Sequence, residues 1–315
     1  MKRVIILLTM ILLVNQSCQN DKTLNQPSNI LEKFNTVQKQ IFKLDTLNQL
    51  EINGKKGTII YYKRNVFNVS DSIPVTLELK EFYNLDDLIY NNINTITNKN
   101  QLLESSGVIQ IRFFGNKKEL ELKKDSFLLI KTPRKNSIDT KLFTAKLDSL
   151  NQFEWIELDE RKAIIKEYNI TELVRGVNTN IQVTDTVGYS NGAYRKLDSI
   201  SDEFLINRMS WLNFDRIIKE VPLFDFDIEL KNQGVNFVNS YILYENYISF
   251  VSFYHKKNEL NFSNIPIIKD STSIILIGME RDSFVAERIK LNRKSNKYEL
   301  ELKHISESEL KKLLK

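Results

Sequence analysis

Few side chains in this sequence are equipped for chemistry. The chain has one cysteine and two histidines in 315 residues, namely Cys18, His255 and His304. Neither histidine stands at ligand spacing from the other or from the cysteine, so no transition-metal site of nitrogen or sulfur donors can be assembled from sequence. A serine hydrolase would need one of the histidines to meet a hydroxyl and a carboxylate. No G-x-S-x-G elbow marks such a serine, and His255 in FYHKK reads as a strand end. The nine glycines form neither G-x-G-x-x-G nor a P-loop, since Gly188 and Gly192 lead into Ala193 and not into lysine. Carboxylate runs such as LDSISDE and FDFDIE lack the D-x-D-x-D-G order of a calcium loop and read as solvated faces. No cofactor is expected. One further constellation is SWLNFDRI, where strand alternation sets Trp211, Asn213 and Asp215 on one face and Leu212, Phe214 and Arg216 on the other. The trio reads either as a polar-aromatic recognition face or as a core tryptophan followed by a turn held by Asn and Asp, and turn chemistry favours the second.

The chain opens MKRVIILLTMILLVNQSC, with cations at Lys2 and Arg3 and an apolar run from Val4 to Val14. That order is the order of a secretion signal. Crossing a bilayer takes about 20 apolar residues, and this run is much shorter. Ser17 precedes the sole cysteine, a placement that resembles the lipobox at which bacterial lipoprotein signals are thioacylated and cut. The alternative is an ordinary secretion signal followed by an incidental thiol. Position at the end of the apolar run favours lipidation of Cys18, with residues 1–17 as the signal peptide. A diacylglycerol with an amide-linked chain holds a membrane firmly, since each buried methylene adds about 0.8 kcal/mol. As the single cysteine, Cys18 also leaves no thiol for an internal disulfide.

Composition sets the class. Hydrophobic residues make up 42% and charged residues 27%, the balance of a globular chain. Lys2 and Arg3 account for part of the net +5, so the remainder is nearly neutral. Opposite charges are interspersed, as in IELDERKAIIKEY, which is a solvated surface and not a phosphate-binding stripe. Nucleic acid is not an expected partner.

The elements that must position these groups are mostly strands. Residues 18–29 are polar and contain Pro27, as suits a tether. Ile30, Phe34, Val37, Ile41 and Leu44 then recur every three or four residues, which predicts a short amphipathic helix. After Leu50 the period changes. GTIIYYKRNVF, IPVTLELKEF, GVIQIRFFG, NKKELELKKD and SFLLIKTP are short, rich in β-branched and aromatic residues, and bounded by turn formers. Val75, Leu77 and Leu79 alternate with Thr76, Glu78 and Lys80, as expected of an antiparallel sheet with one covered face. Asn84, with Asp86 and Asp87 behind it, predicts a short capped helix. Strand character resumes in YILYENYISFVSFYHKK, STSIILIGMERDSFVAERIKL and NKYELELKHI, and Ser306 with Glu309 forms a capping box for a terminal helix.

The succession KKGTIIYYKRNVF, PVTLELKEFYNLDDLIYNNINTITNKNQLLESSGVIQIRF and NKKELELKKD resembles the ZU5-like β-sandwich module of certain Gram-negative envelope lipoproteins. Its features are a glycine-led strand, an acidic and aromatic corner, and a Thr/Ser/Asn stretch leading to a further strand. The resemblance covers residues 50–133 and departs at the first strand, where Tyr62, Lys63 and Arg64 replace the usual proline and small residue. It implies an interaction module and brings no catalytic residues. SWLNFDRI resembles a WxNxDR segment of related lipoproteins, with Phe214 in place of their cysteine.

The expectation is therefore an all-β chain of two antiparallel β-sandwich domains with a short N-terminal amphipathic helix and a short C-terminal helix. The helix and ZU5-like sandwich take residues 30–160, a linker with edge strands takes 161–190, and the second sandwich takes 191–315. The expected function is that of a non-enzymatic structural or protein-interaction subunit, lipid-anchored in the bacterial envelope at the outer membrane and bound to another envelope protein. A lectin-like glycan-binding module is the alternative, and a serine-type hydrolase the lesser one.

Overall fold

The computed structural model describes residues 29–44, 51–124, 126, 128–133, 140–147, 153–158, 193–197, 201–256 and 259–315. The expected signal peptide, the tether up to residue 28 and the expected linker at 161–190 lie outside these residues. The described chain is all-β, in four sheets.

Sheet I runs in the order β1 (Gln40–Leu44), β4 (Val75–Phe82), β5 (Leu103–Gly115), β12 (Ser210–Ile217), β8 (Lys141–Leu147) and β9 (Phe153–Glu157), with β6 (Lys118–Glu119) hairpinned onto β5. Sheet II is β10 (Ala193–Leu197), β11 (Ser201–Ile206), β7 (Leu128–Pro133), β3 (Ile59–Tyr61) and β2 (Glu51–Asn53). Sheet III is β15 (Phe250–Lys256), β14 (Phe237–Tyr244), β17 (Thr272–Glu280), β18 (Ser283–Lys290) and β20 (Lys303–His304). Sheet IV sets β13 (Leu223–Leu230) between β16 (Asn261–Pro266) and β19 (Lys297–Leu300), the latter pairing in parallel. Among the described residues two short α-helices complete the frame, α1 (Leu85–Tyr90) and α2 (Glu307–Leu313).

Alternation along the strands explains how the sheets stack. On β4 and β12, Val75, Leu77, Leu79, Leu212 and Phe214 point to a core shared with Ile60, Ile130 and Phe204 of sheet II. The other face of sheet I offers Phe82, Val108, Phe143 and Trp155 to Tyr241, Leu243, Ile275 and Ile277 of sheet III. The far face of sheet III, with Val238, Ile242, Ile274 and Leu276, packs on Phe226, Ile228 and Phe262 of sheet IV. The layers therefore follow the order II, I, III, IV. Sheets I and III are covered on both sides, which is why IILI in β17 is a continuous apolar run and not an alternating one.

Two expectations need correction. Residues 30–44 do not form an amphipathic helix: Glu32–Phe34 make one 3-10 turn, and Gln40–Leu44 are β1. All five residues of β1 pair with β4, from Gln40 opposite Leu79 to Leu44 opposite Val75. A short isolated helix is marginal, and a waiting sheet edge outcompetes it. The division at residue 191 also does not follow the sheets. β11 pairs with β7 in sheet II, and β12 lies between β5 and β8 in sheet I. Residues 193–217 thus complete the N-terminal sandwich, and the chain crosses to the other two sheets after Ile217. Pairing between segments about 100 residues apart leaves no local signature, because loop closure costs little more as loops lengthen.

β5 carries a bulge opposite Phe214, where the register passes from Asn213 facing Val108 to Asp215 facing Ser105. Gly107 sits in it with φ +149, and a Cβ there would overlap the Tyr83 ring. Gly107→Ala is therefore expected to destabilise the fold by about 2 kcal/mol or more, read as a lowered midpoint in chemical denaturation.

Candidate functional site

The polar groups that could do more than hold a strand in place gather at the seam between sheets I and III. The segment leading there starts at α1, whose N-terminus is closed by a capping box between Asn84 and Asp87. Lys56 donates to the same Asp87 carboxylate at 2.7 Å. Beyond α1 the Thr/Ser/Asn stretch runs against the start of β15. Thr95 Oγ1 accepts from Phe250 N at 2.7 Å and lies 2.9 Å from Ser249 Oγ. Thr95 N donates to the Phe250 carbonyl at 3.0 Å. Asn94 Oδ1 accepts from Ser252 N at 2.9 Å, and Ser105 N donates to the Ile248 carbonyl at 2.9 Å. The Trp155 indole N–H donates to the Asn94 carbonyl. Thr95, Ser249 and Ser105 are buried, so these bonds replace hydration that the seam excludes.

The trio from SWLNFDRI stands on the seam side of sheet I. Alternation holds: Leu212 and Phe214 belong to the core with sheet II, while Trp211 packs beside Phe82 at 5.4 Å and edge-on to Phe153 at 4.8 Å. The trio is not a solvent-facing recognition surface, however. Asn213 and Asp215 are both 0% exposed. Sheet III covers the face that a ligand would have to reach, and no turn follows the tryptophan, because β12 continues to Ile217. Asn213 Nδ2 donates to Asp215 Oδ2 at 2.7 Å. Asp215 Oδ1, Asn213 Oδ1 and Ser105 Oγ are buried without a hydrogen-bond partner. Burial pushes the Asp215 carboxyl up to about 8, against the opposing pull of the Ser105 hydroxyl, the Asn213 amide and the Ser106 N–H. Next to it, Arg216 is ion-paired with Glu104.

The two histidines sit on β15 and β20, which are opposite edges of sheet III. His255 Nδ1 lies 2.9 Å from the Glu259 carbonyl, and its ring packs on Phe262 at 4.7 Å, where burial lowers its pKa. His304 Nε2 lies 3.5 Å from a Glu280 carboxylate oxygen, in the open. A single pocket cannot use both. Among the described residues no group of three His, Cys, Asp or Glu side chains is placed to hold a metal ion, and no helix is long and apolar enough to cross a membrane. Cys18 lies outside the described residues.

An open cleft of 610 Å³ lies on sheet IV, lined by Leu223, Phe224, Asp225, Asn264, Arg293 and Lys294. Asp225 holds its shape by accepting from the Asn264 backbone N–H at 2.7 Å. Asn264 takes φ 56, a left-handed value that asparagine tolerates. These residues come from three separated segments; Phe224 and Asp225 belong to FDFDIE, which the sequence reads as a solvated face, while Asn264, Arg293 and Lys294 escaped sequence reasoning, as did Ser105, for which the polar stretch ending in LLESSG was the only signal. Neither a protein-family model nor a curated protein matches the chain, so the site is read from its own geometry.

Thr95→Val removes the hydroxyl that joins the two sandwiches and leaves the Phe250 N–H buried and unpaired. It is expected to cost about 1–3 kcal/mol, and hydrogen exchange should show lost protection at Phe250 ahead of residues in sheet II.

Proposed function

We propose that this chain is a lipid-anchored protein of the bacterial cell envelope, attached through Cys18, that works by binding another envelope protein and not by catalysis. The secretion-type leader and the single cysteine at its end support the anchoring. The ZU5-like pattern at residues 50–133 supports an interaction role. The body also suits a tether, because its first described residues are locked into the seam. Leu31 and Phe34 are buried in the core between sheets I and III, Phe34 meets Phe284 at 6.2 Å, and Lys33 pairs with Glu307 beside them.

The observation that carries the binding role is β1. Among the described residues its outer edge has no partner strand, and Ile41 on it is 58% exposed. An open strand edge offers unpaired N–H and C=O groups to an incoming strand, and an exposed β-branched residue adds an apolar anchor. Affinity purification from native membranes tests this with three forms of the full chain. The unaltered protein should retain a partner. Cys18→Ala should leave the membrane fraction, and Ile41→Lys should stay there while losing the partner about tenfold or more, equivalent to about 1.4 kcal/mol. Equal recovery of the same proteins with all three forms would refute the reading.

The cleft on sheet IV favours glycan binding as a second reading. It combines the partly exposed Phe224 ring with the Asp225 carboxylate and the Asn264 amide, the pairing of an apolar plate with placed polar groups that small-ligand sites use. Envelope oligosaccharides should then shift the Asn264 amide signals in NMR titration, and unmoved signals would remove this reading.

A further inference from the structure

The polar groups on the seam face of sheet I do not balance as ordinary ionised side chains. Asn213 Nδ2 donates to Asp215 Oδ2 at 2.7 Å. Three oxygens around this bond, Asp215 Oδ1, Asn213 Oδ1 and Ser105 Oγ, have no partner. An ionised carboxylate can only accept, and a serine hydroxyl has a single hydrogen to give. An ionised Asp215 would thus rest on the one Asn213 hydrogen bond and leave Oδ1 bare. A bare charged oxygen of this kind is unfavourable in a dry core.

One added proton changes the count. Carried on Asp215 Oδ1, it removes the charge from the dry seam and leaves the Asn213 donation to Oδ2 in place. We propose that Asp215 is held protonated in the seam between sheets I and III, beside Asn213 and Ser105, and that losing this proton loosens the seam.

The surroundings favour the neutral form. On the same two strands the nearest charges are Glu104 and Arg216, which neutralise each other as an ion pair. On β8, Lys141 is opposite Asp215 in register, but its ammonium is taken by Glu157 at 2.5 Å. Across the seam, Ile248 accepts the Ser105 N–H, Ser249 and Phe250 beside it are buried and uncharged, and Tyr241 in the seam core has its hydroxyl pushed well above its ordinary range by burial. Among these neighbours no unpaired cation stands ready to stabilise an ionised Asp215. The bulge opposite Phe214 sets Ser105 directly across from Asp215, and the Ser105 N–H donates to the Ile248 carbonyl, so the residue facing Asp215 is itself bonded across the seam.

The sign of the pH effect follows from the raised pKa. The unfolded carboxyl ionises near 3.8 and the buried one near 8, so between those values the closed seam holds a proton that the opened one releases. Stability from this group is full in acid, falls as the pH rises through that window, and changes no further above it. Two measurements on the full chain test the proposal. In carboxyl-carbon NMR, the Asp215 signal, identified by its absence in Asp215→Asn, should remain that of a neutral acid at pH 6; an ionised signal there would overturn the proposal whether or not the variant folds. In native-state hydrogen exchange, corrected for intrinsic rates, the opening constant of the Ser105, Phe250 and Ser252 amides should rise up to about tenfold per pH unit between pH 5 and 8. Asp215→Asn, which keeps a neutral donor in place, should flatten that rise. The same slope in parent and variant would overturn the proposal.

Discussion

The seam between sheets I and III joins a broad apolar contact to a narrow strip of buried hydrogen bonds, and both parts need each other. Trp155, Phe143, Ile275 and Ile277 supply much of the apolar area, each large side chain adding about 1.5–3 kcal/mol when fully buried. Apolar contact alone tolerates sliding. The bonds from Thr95 to Phe250 and from Asn94 to Ser252 do not, since a shift of one residue would strand several buried donors and acceptors at once. The strip therefore sets the register of one sandwich against the other.

Covering sheets I and III on both faces has consequences at the periphery. Sheets II and IV remain as the outer layers, and surface features collect on them or on the strand edges. The open cleft is on sheet IV and the bare edge is β1. The seam itself is closed at one end by both ends of the described chain. Phe34 lies beneath the Lys311 ammonium at 4.7 Å, and Arg288 holds the last turn of α2 through the Leu313 carbonyl at 2.9 Å.

Much of the local structure was legible in the sequence because it depends on neighbours a few residues apart. Alternation in IPVTLELKEF matches β4, whose Val75, Leu77 and Leu79 are fully buried. The caps predicted at Asn84 and at Ser306 with Glu309 open α1 and α2 as capping boxes. The two-faced character of SWLNFDRI also holds. Less was legible where an element's state depends on a distant partner. The spacing from Ile30 to Leu44 fits a helix as a pattern, yet pairing with β4 makes its second half a strand. Composition suggested a boundary near residue 191, yet β11 and β12 return to sheets begun over 60 residues earlier.

The sequence by itself determined that most of the chain is built of strands, where the two described helices are capped, which side of strands such as β4 and β12 is apolar, and that its single cysteine follows a short apolar run. Those properties reside in side-chain type and period. Only the tertiary structure decided which strands pair, that a second sandwich covers the polar face of β12, and that Asn213, Asp215 and Ser105 meet away from water. Exposure is a property of what lies opposite a face, and the segment opposite this one, Ile248–Ser252, is separated from it by distance along the chain that no local pattern records. The same covering that removes Asp215 from any ligand is what raises its proton affinity.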